Sequence, residues 1–267
     1  MNSETDIKIE IRDLTMAYGS FVVMRDINAR IKRSEIFIIM GGSGCGKSTL
    51  LRHMIGLKEP AQGDVFYDGV PFWKSDEEVR TGKLRSLGVL FQSGALWSSM
   101  TLAENIGLVL GEYTEFPASE IRDIARLKLA LVGLKGFEDY YPAEISGGMC
   151  KRAGLARALA LDPDILFFDE PSAGLDPISS RNLDELILQL RDSLGATFVV
   201  VTHELASIFT IGDNSVFLDP NTRTMRAQGN PRELLKNSTD PAVREFLTRG
   251  GAAVQPATVQ PSNPPIL

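Results

Sequence analysis

Cysteine, basic charge and long apolar runs are all scarce in this sequence. Cys45 and Cys150 are the two cysteines of the 267 residues, which excludes a disulfide framework and a thiolate metal site. Lysine and arginine total 28 against 34 acidic residues, and the net charge of −6 argues against a sequence-independent nucleic-acid binder. The longest apolar runs, such as Ile36–Met40, fall far short of the roughly 18–20 residues that span a bilayer. Since Met1–Asp6 is polar and acidic, we also expect no secretory signal peptide.

The composition is that of a globular protein. Hydrophobic residues make up 43% and charged residues 23% of the chain, which excludes wholesale disorder. The length is enough for one large domain or two small ones. The segment 250–267 contains four prolines and little that could pack, so we expect a flexible tail there.

Strand-like and helix-like segments alternate along most of the chain, which predicts a parallel sheet with helices on both faces. The predicted strands are Ile7–Ile11, Ala29–Lys32, Glu35–Met40, Val65–Tyr67, Leu87–Phe91, Ile165–Asp169 and Thr197–Val201. Predicted helices begin near Lys47 and at Asp176-Pro177, where aspartate would cap and proline would occupy the first turn. Apolar residues at helical spacing predict that the segment 93–146 is a mostly helical insertion.

A glycine-rich loop follows the buried strand and precedes a helix. Residues 41–49 have the sequence GGSGCGKST, which fits G-x-x-x-x-G-K-[ST], and this context predicts a phosphate-binding loop. The candidate phosphate-binding residues are Gly41, Gly42, Ser43, Gly44, Cys45, Gly46, Lys47, Ser48 and Thr49. Lys47 would reach the β- and γ-phosphates, and Ser48 would bind Mg²⁺. Cys45 is interpreted as a small filler, with a thiol of low pKa beside the helix as the alternative.

Two acids follow the apolar run Ile165–Phe168. A buried strand would deliver Asp169 to its carboxyl end, where nucleotides bind in open α/β sheets. We predict that Asp169 contacts Mg²⁺, and that Glu170 acts as a general base or orients water at the γ-phosphate. Of the two histidines, His203 lies just past a strand, whereas His53 lies inside a helix and is interpreted as structural.

Together with these motifs, Ser146-Gly147-Gly148 resembles the signature of the nucleotide-binding subunits of ABC transporters. Serine is a natural helix cap, and two glycines would expose the first N–H groups of the next helix to an anion. The resemblance covers residues 7–249. It implies an ATPase with ATP and Mg²⁺ that works as a homodimer, each ATP lying between one phosphate loop and the partner's signature.

The resemblance also implies a fold and further site residues. The fold is α/β: a P-loop NTPase (RecA-like) core with a parallel sheet, an N-terminal antiparallel β subdomain and an inserted helical subdomain. The core would comprise residues 7–92 and 160–249, and the helical subdomain about 93–159. Tyr18 resembles the aromatic residue that stacks on adenine, and Gln92 the glutamine that touches Mg²⁺. Asp176 ends a segment similar to the loop that crosses to the other subunit, and His203 resembles the switch histidine at the γ-phosphate.

One position departs from the family pattern. The signature usually ends in glutamine, whereas this chain has Met149, whose side chain cannot donate a hydrogen bond. Because the backbone donors remain, we expect activity to survive. The alternative is a degenerate site with slow hydrolysis.

Residues 91–97, the signature with Arg152, and residues 240–247 resemble ATPases of the Mla type from Gram-negative bacteria. This resemblance implies phospholipid transport between inner and outer membranes, with the chain bound peripherally to the cytoplasmic face of the inner membrane. The implied partners are an MlaE-like permease, an MlaD-like MCE-domain protein and an MlaB-like STAS-domain protein, with no nucleic acid. Leu96, Trp97 and Met100 would contact the permease, and the tail 250–267 would pack across the dimer.

Three other functions stay open on the sequence. The same ATPase could serve another cargo, such as a lipoprotein, a toluene-type solvent or an amino acid. It could be a non-transport ABC ATPase, although the chain lacks the second motif set, coiled coil or zinc insertion typical of these. A purely regulatory nucleotide-binding module is the third, and Glu170 and His203 argue against it.

Overall fold

The computed structural model describes residues 6–249, so the predicted tail 250–267 lies outside the described residues. The strands are β1 (Ile7–Tyr18), β2 (Phe21–Lys32), β3 (Ile36–Gly41), β4 (Gln62–Tyr67), β5 (Val70–Pro71), β6 (Leu87–Leu90), β7 (Ile165–Asp169), β8 (Thr197–Val201), β9 (Asn214–Asp219) and β10 (Thr224–Gly229). The helices are α1 (Lys47–Met54), α2 (Glu77–Arg85), α3 (Leu102–Tyr113), α4 (Ala118–Leu131), α5 (Gly147–Ala158), α6 (Pro177–Leu194), α7 (Leu205–Ile211), α8 (Pro231–Asn237) and α9 (Pro241–Thr248).

The strands form two sheets. The larger one has the order β10-β9-β3-β8-β7-β6, in which the strands from β9 to β6 run parallel and β10 is antiparallel to β9. The smaller sheet has the order β2-β1-β4-β5 and is antiparallel. The α/β fold class, with its parallel core sheet and N-terminal antiparallel sheet, is therefore confirmed.

The two faces of the large sheet belong to separate hydrophobic clusters. Ile36, Ile38 and Met40 of β3 pack on one side with residues of α3 to α7 and α9. Phe37 and Ile39 point to the other side, where α1 and the antiparallel sheet cover them. Helices thus cover one face, as predicted, whereas the second face is shared between α1 and the smaller sheet.

Several elements differ from the expectation. β1 continues to Tyr18, well beyond the predicted Ile7–Ile11. The strand contains a bulge, at which Asp13 adopts a left-handed φ of 48° and the pairing register shifts between Ile11 and Leu14. This bulge interrupts the alternation of apolar and polar residues by which a strand is detected. The predictions also omitted α2, β5, β9, β10 and α7 to α9. Between residues 6 and 249, no helix is long and apolar enough to cross a membrane.

The parallel register brings the predicted site to one edge of the sheet. Ile165 of β7 pairs with Thr197 of β8, and Asp169 with Val201, so both strands end at the same level. β3 lies on the other side of β8, with Ile39 opposite Val201. The loop after β3, the acids at the end of β7 and the histidine after β8 therefore share this edge.

Candidate active site

The loop between β3 and α1 depends on glycine at both ends. Gly41 has a φ of 151°, and a Cβ there would lie 2.5 Å from the Leu218 carbonyl oxygen and 2.7 Å from the Cys45 Sγ. Gly46 caps α1 with a φ of 99°, and a Cβ there would lie 3.0 Å from Val23. A side chain at either position would be strained, so the loop conformation is built into the sequence.

The two side chains that flank Gly46 have different environments. Lys47 is largely buried, and its ammonium donates hydrogen bonds of 3.0 Å to the carbonyl oxygens of Gly41 and Gly42. Cys45 faces the hydrophobic core, and burial raises the pKa of its thiol. The cysteine is thus a filler rather than a reactive thiol of low pKa, and only its backbone belongs to the loop.

The predicted magnesium ligands lie together. Ser48 Oγ donates a hydrogen bond of 2.9 Å to Asp169 Oδ1. Gln92, which follows β6, lines the same cleft as Ser48. Hydroxyl, carboxylate and amide oxygens are hard donors, and Mg²⁺ commonly binds one or two such protein groups together with substrate phosphates. These residues therefore fit a magnesium ion that is shared with a nucleotide.

The residue after Asp169 contacts the predicted switch histidine. Glu170 has a left-handed φ of 49°, a conformation that costs a non-glycine residue roughly 1–3 kcal/mol. Its carboxylate oxygens lie 2.9 and 3.0 Å from His203 Nδ1. Only 13% of the Glu170 side chain is exposed, against 52% for His203. The strained turn aims a mostly buried carboxylate at an imidazole on the cleft wall.

These residues surround a cleft of about 760 Å³. Its lining includes residues of the glycine-rich loop, with Ser48, Thr49, Gln92, Glu170 and His203. Tyr18 also lines the cleft, half exposed, and the Lys58 ammonium sits 4.0 Å from the centre of its ring. Hydrogen bonding to Thr49 lowers the pKa of the Tyr18 hydroxyl. The cleft thus offers an aromatic ring beside the backbone N–H groups and the lysine of the glycine-rich loop.

The predicted signature residues lie elsewhere. Ser146 caps α5 and accepts a hydrogen bond of 3.3 Å from the Met149 N–H, and Asp176 caps α6, as predicted for both helices. Ser146 and Gly148 line a separate pocket that includes Leu175, and none of its lining residues belongs to the cleft. One copy of the chain therefore does not bring Ser146, Gly147, Gly148 and Asp176 to the phosphate loop.

Lys151, Glu204, Phe246 and Arg249 adjoin the cleft or its residues, and the sequence analysis did not select them. Lys151 is buried on α5, and its ammonium donates a hydrogen bond to the Gln92 carbonyl oxygen. Burial lowers its pKa against the opposing effect of Asp169 and Glu170. A lysine one helical turn past Gly147 was the available signal. The other three residues carried no sequence signal, because the chain fold alone brings them there.

His53 is structural, as expected. Its side chain is fully buried, and its Nδ1 lies 2.5 Å from the Lys58 carbonyl oxygen. Burial lowers the pKa of the imidazole, so the neutral form is favoured. It lies away from the cleft lining and takes no part in the site.

A family comparison agrees with this geometry. Residues 24–173, more than half of the chain, match the family model described as ABC transporter. The chain belongs to the ABC transporter family. Like its family, it is an ATP-binding protein and an ATPase.

Two groups of curated relatives match this ABC protein over 90% of its length. The intermembrane phospholipid transport system ATP-binding protein MlaF is 39% identical in Escherichia coli K12 and 38% identical in Haemophilus influenzae, with 88% and 89% of those proteins covered. A probable ribonucleotide transport ATP-binding protein, mkl of Mycobacterium tuberculosis, is 43% identical. The chain spans only 66% of that mycobacterial protein.

Solved ABC structures share the fold. The chain resembles cbiO1 from Clostridium perfringens, part of the transporter complex cbiONQ, with a TM-score of 0.78 and 28% identity over 86% of this chain and 90% of that one. It also resembles the dimeric cassette MJ0796 in a post-hydrolysis state with ADP and Pi, with a TM-score of 0.75 and 29% identity over 83% and 98%.

Proposed function

We propose that this ABC ATPase powers phospholipid transport between the inner and outer membranes. The observation that carries this proposal is the similarity to two MlaF proteins, which extends over almost the full length of this chain and of each relative. The chain would lie at the cytoplasmic face of the inner membrane, bound through a permease. The cleft geometry supports the chemistry, whereas the cargo and partners rest on the relatives.

Different cleft residues would contact different parts of the ATP molecule. Tyr18 would stack on the adenine, and the loop N–H groups with Lys47 would hold the phosphates. Ser48, Asp169 and Gln92 would hold Mg²⁺, which when bound neutralises the charge of the phosphate oxygens. Glu170 would accept a proton from the attacking water. The imidazole of His203 contacts the Glu170 carboxylate and would hold that carboxylate in position.

Two copies of the chain would complete each site. The two glycines at the start of α5 support this. Neither Gly147 nor Gly148 has a positive φ, so the backbone conformation does not require glycine at either position. Among the described residues, a Cβ at Gly147 would meet nothing within 4 Å, and one at Gly148 would make only ordinary contacts. The packing of the described residues therefore does not explain why both positions lack a side chain. A close approach of another molecule to the backbone N–H groups of α5 would explain it. The partner's ATP would supply that approach.

Met149 does not block this arrangement. Its side chain packs against the hydrophobic cluster of the helices, as does that of Ile145. The signature helix is therefore supported by apolar contacts where other family members have a polar side chain. We keep the expectation that hydrolysis survives the substitution.

An exposed apolar groove would bind the permease. Trp97 is 59% exposed, and its backbone is held by the buried Asn105, which accepts from the Trp97 N–H at 2.7 Å and donates to its carbonyl at 3.1 Å. Tyr113 and Leu108 line the same groove. Leu96, also proposed from the sequence, packs instead against the core. A rigidly held, exposed tryptophan in an apolar groove is typical of a protein-binding surface.

The other proposed partners follow from the MlaF resemblance alone. They are an MCE-domain protein and a STAS-domain protein beside the permease. A second cargo is favoured by one observation, the 43% identity to a protein named for ribonucleotide transport. Because the chain spans only 66% of that protein, phospholipid remains the better supported cargo.

Affinity purification from the native host tests the proposal. The tagged chain is extracted from membranes in mild detergent, and the co-purifying proteins and lipids are identified by mass spectrometry. A multi-span permease, an MCE-domain protein and bound phospholipid are expected. Recovery of a permease with no MCE-domain protein and no lipid would overturn the cargo but leave the ATPase.

A pair of variants tests the groove in the same experiment. Trp97→Ala should lose the permease, whereas Leu57→Ala, which removes a 63% exposed side chain outside the groove, should retain it. Equal recovery of the permease with both variants would contradict the assignment of the groove.

A further inference from the structure

The C-terminal helix α9 is fixed at both its ends and along its face. Its cap, Asp240, accepts a hydrogen bond of 2.7 Å from Arg226 Nε on β10. Val243 and Leu247 are buried, and the ring of Phe246 lies 5.2 Å from that of Phe217 on β9. Because the helix is anchored to two strands of the central sheet, the residue that follows it has a defined position.

That residue, Arg249, reaches the cleft. It ends α9 in a left-handed conformation with a φ of 48°, and its N–H bonds back to the Phe246 carbonyl oxygen at 3.2 Å. Its Nη2 donates a hydrogen bond of 3.0 Å to the His203 carbonyl oxygen and lies 3.6 Å from Glu204 Oε2. Arg249 and Phe246 both line the cleft with the glycine-rich loop.

The imidazole of His203 lies between two carboxylates. Its Nδ1 is 2.9 Å from Glu170, and its Nε2 is 3.5 Å from Glu204 Oε1. Arg249 contacts the second carboxylate and the backbone of the histidine itself. A guanidinium has several donors in a fixed plane, so one side chain can hold both acceptors at once.

The contact of Arg249 with Glu204 and the His203 carbonyl affects the positions of these groups rather than the stability of the fold. The Arg249 side chain is 57% exposed, and exposed ion pairs contribute little to stability. Glu204 faces both groups, with Oε1 3.5 Å from the imidazole and Oε2 3.6 Å from the guanidinium, so the positive charge of Arg249 offsets the attraction of that carboxylate for the imidazole. His203 is then left with Glu170 as its close partner.

We propose that Arg249 is a positioning residue for hydrolysis, which orients His203 through Glu204 and through the histidine carbonyl. The C-terminal helix would thereby set the geometry of the γ-phosphate site from outside the core motifs. The inference rests on the proposed roles of Glu170 and His203 in the cleft.

Steady-state kinetics on the full 267-residue chain test it, with ATP affinity measured separately. Arg249→Ala should lower kcat about tenfold, as expected for one charged hydrogen bond, while Kd for ATP changes less than about twofold. Arg249→Lys should recover part of the loss. Arg244→Ala removes the same charge from α9 away from the cleft lining and should leave kcat unchanged.

The outcomes separate this inference from the proposed function. An unchanged kcat in Arg249→Ala, a loss of ATP affinity instead of kcat, or an equal loss in Arg244→Ala would each overturn the positioning role. Glu170→Gln is measured in parallel. If it keeps wild-type turnover, the roles assigned to the cleft fail, and the inference about Arg249 fails with them.

Discussion

Ser48 and Asp169 are joined by a 2.9 Å side-chain hydrogen bond although they lie 121 positions apart in the sequence. The bond connects the first turn of α1 to the end of β7. It joins a hydroxyl that lines the cleft, where magnesium and phosphate would meet, to the carboxylate of Asp169. The two halves of the proposed nucleotide site are thus in contact within one chain.

Glu170→Gln should bind ATP, hydrolyse it poorly and accumulate as a closed dimer. The amide keeps the shape of the side chain but cannot accept the proton from water, and loss of a general base costs roughly 10²- to 10⁴-fold in rate. Phosphate release and size-exclusion chromatography with ATP measure the two effects. Wild-type turnover would remove Glu170 from the role of base.

Lys47→Ala should lose most of its ATP binding. Hydrogen bonds to charged groups are worth about 1.5–3 kcal/mol, so we expect Kd to rise about 10- to 150-fold. Titration with a fluorescent ATP analogue measures the affinity. Lys135→Ala, which removes an exposed lysine away from the cleft, is the matched control. An unchanged Kd in Lys47→Ala would contradict the phosphate role of this ammonium.

Gly147→Ala should abolish hydrolysis without lowering stability. A Cβ there meets no atom of residues 6–249 within 4 Å, so the melting temperature should stay within the range of ordinary surface substitutions. The methyl group would instead obstruct a nucleotide that approaches the N-terminus of α5. Gly41→Ala is the contrasting variant, because its Cβ would lie 2.5 Å from the Leu218 carbonyl oxygen and must destabilise the fold.

The comparison uses thermal unfolding and ATPase rate on the same samples. Retained hydrolysis in Gly147→Ala would argue that the signature does not approach ATP. A lowered melting temperature would mean that the glycine is needed within its own chain.

Asp184→Asn should stabilise the protein above about pH 6. Asp184 on α6 is buried and accepts a hydrogen bond of 2.8 Å from Ser207 Oγ on α7, and burial raises the pKa of this carboxyl to about 6. Between the ordinary value of 3.8 and about 6, the folded state holds a proton that the unfolded state has lost. Stability conferred by this group therefore falls as pH rises through that window.

Asparagine can accept the same hydrogen bond and does not ionise. The melting temperature of Asp184→Asn relative to wild type should thus increase from pH 4.5 to pH 7.5. Glu185→Gln changes the neighbouring exposed carboxyl and should give no such trend. A pH-independent difference for Asp184→Asn would contradict the raised pKa.

The site was predictable wherever local sequence dictates local conformation. The glycines at 41 and 46 have positive φ, Ser146 and Asp176 cap helices, and four apolar residues precede Asp169. Each of these features is specified within a few residues. Lys151 was missed because its partner, the Gln92 carbonyl, lies 59 positions away.

The antiparallel sheet and the C-terminal elements were less accessible from sequence. The bulge at Asp13 breaks the alternation of β1, and β10 has a burial pattern without a clear apolar face. Helices α7 to α9 are short, with seven or eight residues each, so their periodicity is weak. Their positions are fixed by packing on the sheet rather than by propensity.

By itself, the sequence determined the phosphate loop, the acids after β7, the helix caps and the α/β alternation, because these depend on residue type and spacing over short ranges. Only the tertiary structure decided which side chains meet. Parallel register brought Ser48 to Asp169 and Glu170 to His203, the packing of α9 carried Arg249 into the cleft, and α5 held the signature away from it. Such contacts join residues distant in the chain, and no local pattern records them.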